Sequence, residues 1–189
     1  MTDTPKLFML LLGCKPKDRF TEQHDIFFDI GPDLKSLVQH IRDYWPDGGE
    51  KLHIDAWREV TLVDSFRVDV IPRSSASELQ SQRLFFINLG GYRPDEFDEF
   101  HYKMILAAAD KGEAIRKGKE TAFYRHTGFS GAESHIDDKY GVDVDDIYNI
   151  EDILPEAVKS RYCLQLTKTN GDDRQDPVRL GYFQLHKLE

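Results

Sequence analysis

Cysteine is scarce in this chain. Cys14 and Cys163 are its only two, far apart in sequence. They form neither a metal-type pair nor a disulfide framework, so the expected home is a reducing cytosol. Positive charge is also short: 25 Lys and Arg stand against 34 Asp and Glu, a net charge of -9. That balance argues against nucleic acid as a partner, because phosphate binding needs clustered basic side chains. It argues equally against an anionic membrane surface. No stretch approaches the roughly 20 apolar residues of a membrane span. Leu11-Leu12-Gly13-Cys14 resembles the end of a lipoprotein leader, but the flank Met1–Lys6 is nearly neutral and the apolar run is short.

Catalytic signatures are missing too. Gly90-Gly91 is followed by neither dinucleotide nor Walker spacing. Gly128-Phe129-Ser130-Gly131 misses the nucleophile elbow. No H-E-x-x-H zinc motif occurs. The acidic run from Asp137 to Asp152 lacks EF-hand spacing and reads as a solvated hairpin edge. Cys14 follows Gly13 at a strand end, but no partner base is fixed for it as a nucleophile.

What is present is repetition. Leu7–Gly13 is echoed by Leu84–Gly90, Glu22-Gln23-His24 by Glu99-Phe100-His101, and Asp33 by Asp110. His53-Ile54-Asp55 is echoed by His135-Ile136-Asp137, and Val70-Ile71-Pro72 by Ile153-Leu154-Pro155. Self-similarity in constant order marks a duplicated structural unit. Leu7–Leu12, apolar throughout, predicts a central strand. Gln23–Ile30 alternates as a strand with one buried face. Asp33 offers a helix cap ahead of the amphipathic Leu34–Trp45. Lys51–Val63 reads as a strand, with a turn at Asp64-Ser65 into Phe66–Ile71. In the second copy, strands are expected at Leu84–Leu89 and Phe100–Leu106, then a helix from Asp110 to His126. His135–Val144 and Ile147–Leu154 follow as strands. Arg161–Thr167 and Val178–Lys187 read as an added hairpin.

The fold expected is α+β: a tandem duplication of a ββαββ unit with pseudo-twofold symmetry, plus a C-terminal β-hairpin. Residues 1–72 form the first repeat, 73–82 a Ser-rich linker, and 83–189 the second repeat with its hairpin, packed as one continuous fold.

Strand alternation places His53, Asp55, Trp57 and Glu59 on one face. An indole among an imidazole and two carboxylates suits a contact surface. The blander account is a solvated sheet face, the default for antiparallel alternation. The second copy keeps His135 and Asp137 but has Lys139 and Gly141 for Trp57 and Glu59. A sharper grouping joins Glu22, His24, His53 and Asp55 as ligands for zinc or manganese.

The pieces Gly13-Cys14-Lys15-Pro16, Glu22-Gln23-His24-Asp25, His53–Val60 and His135–Asp143 together resemble the bacterial domain-of-unknown-function family numbered 1543. That resemblance implies a small soluble domain occurring once or twice per chain, and it assigns no activity. The function expected is a non-catalytic cytosolic binding or assembly module, a homodimer or the holder of a protein partner, with no cofactor. The alternative is a metal-dependent hydrolase using the His, Asp and Glu ligands of the first repeat.

Overall fold

The computed structural model describes all residues except 1–3, 77–79, 93–94, 96, 98, 121–135, 138–140, 143–146 and 172–173. At 91–92, 99–100, 136–137 and 141–142 only the backbone is described. The fold is mixed, with mostly antiparallel sheets and few helices. Among the described residues no helix is long and apolar enough to cross a membrane. Two compact units form, residues 1–76 with 154–189, and residues 77–153.

In the first unit, β1 (Lys6–Cys14) is central, as its apolar run demands. β2 (Gln23–Gly31) pairs antiparallel along its whole length. β3 (His53–Glu59) pairs along the other edge, and β12 (Arg179–Gln184) lies outside β3. One face of β1 carries Phe8, Leu10, Leu12 and Cys14 into a core with Phe27, Ile54, Leu37, Val38 and Ile41. The last three come from a 3-10 turn (Lys35–Leu37) running into α1 (Val38–Tyr44). Asp33 opens this helical stretch as expected: the Ser36 N–H donates to its Oδ1 at 2.9 Å.

The strand expected over Lys51–Val63 is cut in two. β3 stays in the first sheet, while β4 (Leu62–Val63) joins β5 (Phe66–Pro72) and β11 (Tyr162–Lys168) in a second. Asp176 holds the corner, accepting the Thr61 and Leu62 N–H groups at 2.7 and 3.1 Å and the Thr61 hydroxyl at 2.5 Å. The Asp64-Ser65 turn is as expected. Both residues have positive φ, 48° and 63°, which matches the twist of a two-residue hairpin.

The expected C-terminal hairpin is not formed. Its two strands exist, but β11 pairs with β5 and β12 with β3, in different sheets of the first unit. A hairpin reading assumes that neighbouring strands pair; here β5 and β3 each had an open edge. Pro72 pairs with Tyr162, so residues 73–161 form one excursion from a pair of adjacent strands.

The second unit has a three-stranded sheet, with β6 (Arg83–Tyr92) between β7 (Glu99–Ala108) and β10 (Ile147–Asn149). Its hairpin repeats the register of the first: Lys6↔Gly31 becomes Arg83↔Ala108 and Gly13↔His24 becomes Gly90↔His101, 77 added to every number. α2 (Lys111–Lys119) starts on Asp110, whose side chain accepts from the Glu113 N–H at 2.8 Å. The expected remainder of this helix, to His126, lies outside the described residues beyond Glu120. β8 (Ile136–Asp137) and β9 (Gly141–Val142) pair with each other, and among the described residues with no other strand. The strand expected over Ile147–Leu154 is short: β10 gives way to α3 (Ile150–Ile153), and α4 (Glu156–Lys159) follows.

One polar pair packs against the first core. Asp29 is fully buried, with Oδ2 at 2.8 Å from His40 Nδ1 and Oδ1 accepting the Ile30 N–H at 2.8 Å. Burial pushes its carboxyl pKa up, and these two hydrogen bonds only partly offset that. A carboxyl whose folded pKa lies above its unfolded value contributes stability below the unfolded pKa and loses it as pH rises through the folded one. Wild type should therefore lose stability relative to Asp29→Asn as pH rises out of the acid range, in paired urea melts. A difference that stays flat with pH would contradict this.

Candidate functional site

The site begins with an irregularity in β3. Gly13 pairs with His53 and Leu12 with Ile54, but Leu11 pairs with Ala56, leaving Asp55 as an extra residue. Such a bulge resets the alternation of the strand. Leu10, on the core face, pairs with Trp57, and Phe8 with Glu59. So His53 and Asp55 take the outer face, while Trp57 and Glu59 take the core face. The expectation of one face carrying all four is corrected: plain alternation cannot foresee a bulge.

Trp57 and Glu59 are engaged in structure. Trp57 packs on the core, 6.0 Å from the Phe8 ring, with the Arg179 guanidinium 5.3 Å above it. Glu59 pairs with Lys6 at 2.8 Å.

On the outer face the four residues expected as metal ligands come within contact of one another. His53 Nε2 lies 3.2 Å from both Glu22 Oε1 and Asp55 Oδ1. His24 Nε2 lies 3.1 Å from Asp55 Oδ2 and 3.9 Å from Glu22 Oε2. Each carboxylate thus spans both imidazoles. His24 arrives through its pairing with Gly13, and Glu22 sits just before β2. Gly13 leaves the space they need: a Cβ there would stand 2.3 Å from Asp55 Oδ2 and 2.7 Å from His53 Nε2.

His53 is the buried member, its side chain 3% exposed. Its Nδ1 lies 2.7 Å from the Lys51 carbonyl. A carbonyl only accepts, so Nδ1 carries a proton. Nε2 is buried without a hydrogen bond, as is Asp55 Oδ2. Among the described residues, no group of three or more His, Cys, Asp or Glu side chains stands arranged to hold a metal ion.

The Tyr182 ring lies over His53, centroids 4.1 Å apart. Tyr182 belongs to β12, the outermost strand of its sheet among the described residues. Tyr182 is 62% exposed, Leu180 78% and Val178 56%. Leu180 pairs with outward-facing Ala56, so an apolar stripe borders the cluster. Nothing but the alternation Val178-x-Leu180-x-Tyr182 signalled it in the sequence, and that pattern equally fits a buried face.

The second-copy residues land elsewhere. Asp137 lies in β8, away from the strand flanking β6, and His135 lies outside the described residues. The position matching Trp57–Glu59 is held by Ile147–Asn149, which pair with Ile87, Phe86 and Phe85. His101 does match His24 in register, and its Nδ1 lies 2.9 Å from Asn88 Nδ2. Cys14 is buried, and its thiol pKa is raised by that burial and then by Glu22 and Asp47. A thiol kept protonated is a poor nucleophile.

Trp57→Ala should cost about 3 kcal/mol of stability, measured by denaturant melts. A loss within the ~0.5 kcal/mol of a surface substitution would contradict the core placement.

A search of curated proteins returns no match. The crystal structure of a protein Il1583 from Idiomarina loihiensis is similar, with a TM-score of 0.59 at 21% identity over 96% of this chain and 98% of that one. That likeness concerns the fold alone. Residues 19–70, which span Glu22, His24, His53 and Asp55, match the family model described as Domain of Unknown Function (DUF1543).

Proposed function

We propose that the protein is a non-catalytic assembly module that pairs with a second copy of itself through β12. The observation carrying this is an open edge that bears exposed apolar side chains. Among the described residues β12 ends its sheet; Leu180 and Tyr182 within it, and Val178 just before it, stand exposed at alternate positions. Edge strands left open normally carry charge, proline or a cover against such pairing. Here the one charged side chain of the strand, Arg179, is turned onto Trp57. An antiparallel β12–β12 contact about a twofold axis continues the sheet into the partner, and the apolar stripe of each copy meets its own image. The surface differs from the expected one: it keeps the neighbourhood of His53 and Asp55, and Trp57 and Glu59 drop out.

The two units fit a duplication, which we include in the proposal. Supporting it are the hairpins matched pair for pair at an offset of 77 and the third strand antiparallel to the first in each unit. The hydrolase reading draws on Glu22, His24, His53 and Asp55 and gains nothing from the β12 edge.

Leu180→Lys should weaken self-association at least about tenfold, or ~1.4 kcal/mol, while shifting folding stability by no more than ~0.5 kcal/mol. Sedimentation velocity over a concentration series reads the first and urea melts the second. A wild type that stays monomeric at every concentration would overturn the proposal, as would a variant that associates as well as wild type.

A further inference from the structure

We propose that Glu22, His24, His53 and Asp55 form a site for one divalent transition-metal ion of the zinc or manganese class. Such a site is independent of assembly through β12 and answers a problem of charge. His53 Nδ1 is committed as a donor to the Lys51 carbonyl at 2.7 Å. In the neutral ring Nε2 then bears a lone pair. That lone pair is buried and faces two carboxylate oxygens at 3.2 Å, with no hydrogen bond to either. A buried lone pair facing two carboxylate oxygens, one of them on the half-exposed Glu22, favours a positive charge between them. A proton can supply it, and so can a metal ion.

The donor set favours the ion. Two imidazole nitrogens and two carboxylates are the borderline ligands that zinc and manganese accept. Neighbouring donors on an ion with bonds of ~2.1 Å subtend about 100° when they stand ~3.2 Å apart, the separation at three of the four contacts here, 3.1 to 3.2 Å. The fourth, His24 to Glu22, is wider at 3.9 Å. Each carboxylate now gives one oxygen to each ring, so the four groups close a cycle instead of converging on one point. An ion bound by both Nε2 atoms needs one oxygen from each acid, and turning the carboxylate planes supplies it.

The surroundings are those of a ligand set. The Lys51 carbonyl fixes the His53 tautomer and ring direction, the usual task of a group behind a metal-bound histidine. Gly13 leaves room on the neighbouring strand where any side chain would enter the cluster. Burial of His53 beneath the Tyr182 ring lowers the local dielectric and strengthens its hold on an ion.

The test uses full-length protein without a metal-affinity tag, titrated with zinc and with manganese against a chromophoric chelator. Wild type should bind one equivalent. His53→Gln should weaken binding by more than ~100-fold, beyond the usual effect of an outer partner. His24→Gln, at a half-exposed position, keeps the test valid if the His53 variant fails to fold. Gly13→Ala keeps all four ligands yet should also lose affinity, since its methyl enters the cluster. Absence of saturable binding to wild type overturns the proposal and leaves a proton as the shared charge. Stoichiometric binding that survives both histidine substitutions overturns it too. Neither result depends on whether the protein self-associates, which sedimentation reads separately.

Discussion

One extra residue in β3 governs the first unit. The bulge at Asp55 turns His53 and Asp55 outward while leaving Ile54 and Trp57 in the core. A regular strand pairing Leu12 with Ile54 would turn Trp57 outward and take it from Phe8. The same strand pairs with β12, whose own register shifts between Leu180 and Phe183 opposite the bulge. That second shift sends Phe183 to the core and sets Tyr182 over His53. Core, imidazole cluster and exposed stripe are therefore consequences of one local irregularity.

Much of the fold was legible because its signals are local. The apolar run at Leu7–Leu12, the alternation of Gln23–Ile30, the Asp33 and Asp110 caps and the Asp64-Ser65 turn all hold. Where the expectations failed, the deciding contact was distant in sequence. Asp176 breaks the strand at Thr61 from more than a hundred residues away. β11 and β12 bypass each other because β5 and β3 offer free edges. No periodicity within Arg161–Lys187 carries that information.

The candidate site was half legible. Residue types picked out Glu22, His24, His53 and Asp55, and the fold brings all four together. Matching His-x-Asp letters misled in the second half. The strand flanking β6 is supplied by Ile147–Asn149, and Ile136-Asp137 pairs with Gly141-Val142 instead. A short repeated string is weak beside a register that matches pair for pair. The Lys51 carbonyl and the gap at Gly13 were invisible, since a backbone oxygen and a missing side chain have no residue signature.

The chemistry of the outer face turns on which ring nitrogen of His53 carries its proton. Long-range ¹H–¹⁵N spectra of imidazole-labelled protein, recorded where the histidines are neutral, answer this directly. The structure predicts a protonated Nδ1 held by Lys51 and a bare Nε2 whose signal moves when zinc is added. A neutral ring protonated at Nε2, unmoved by zinc, would contradict it.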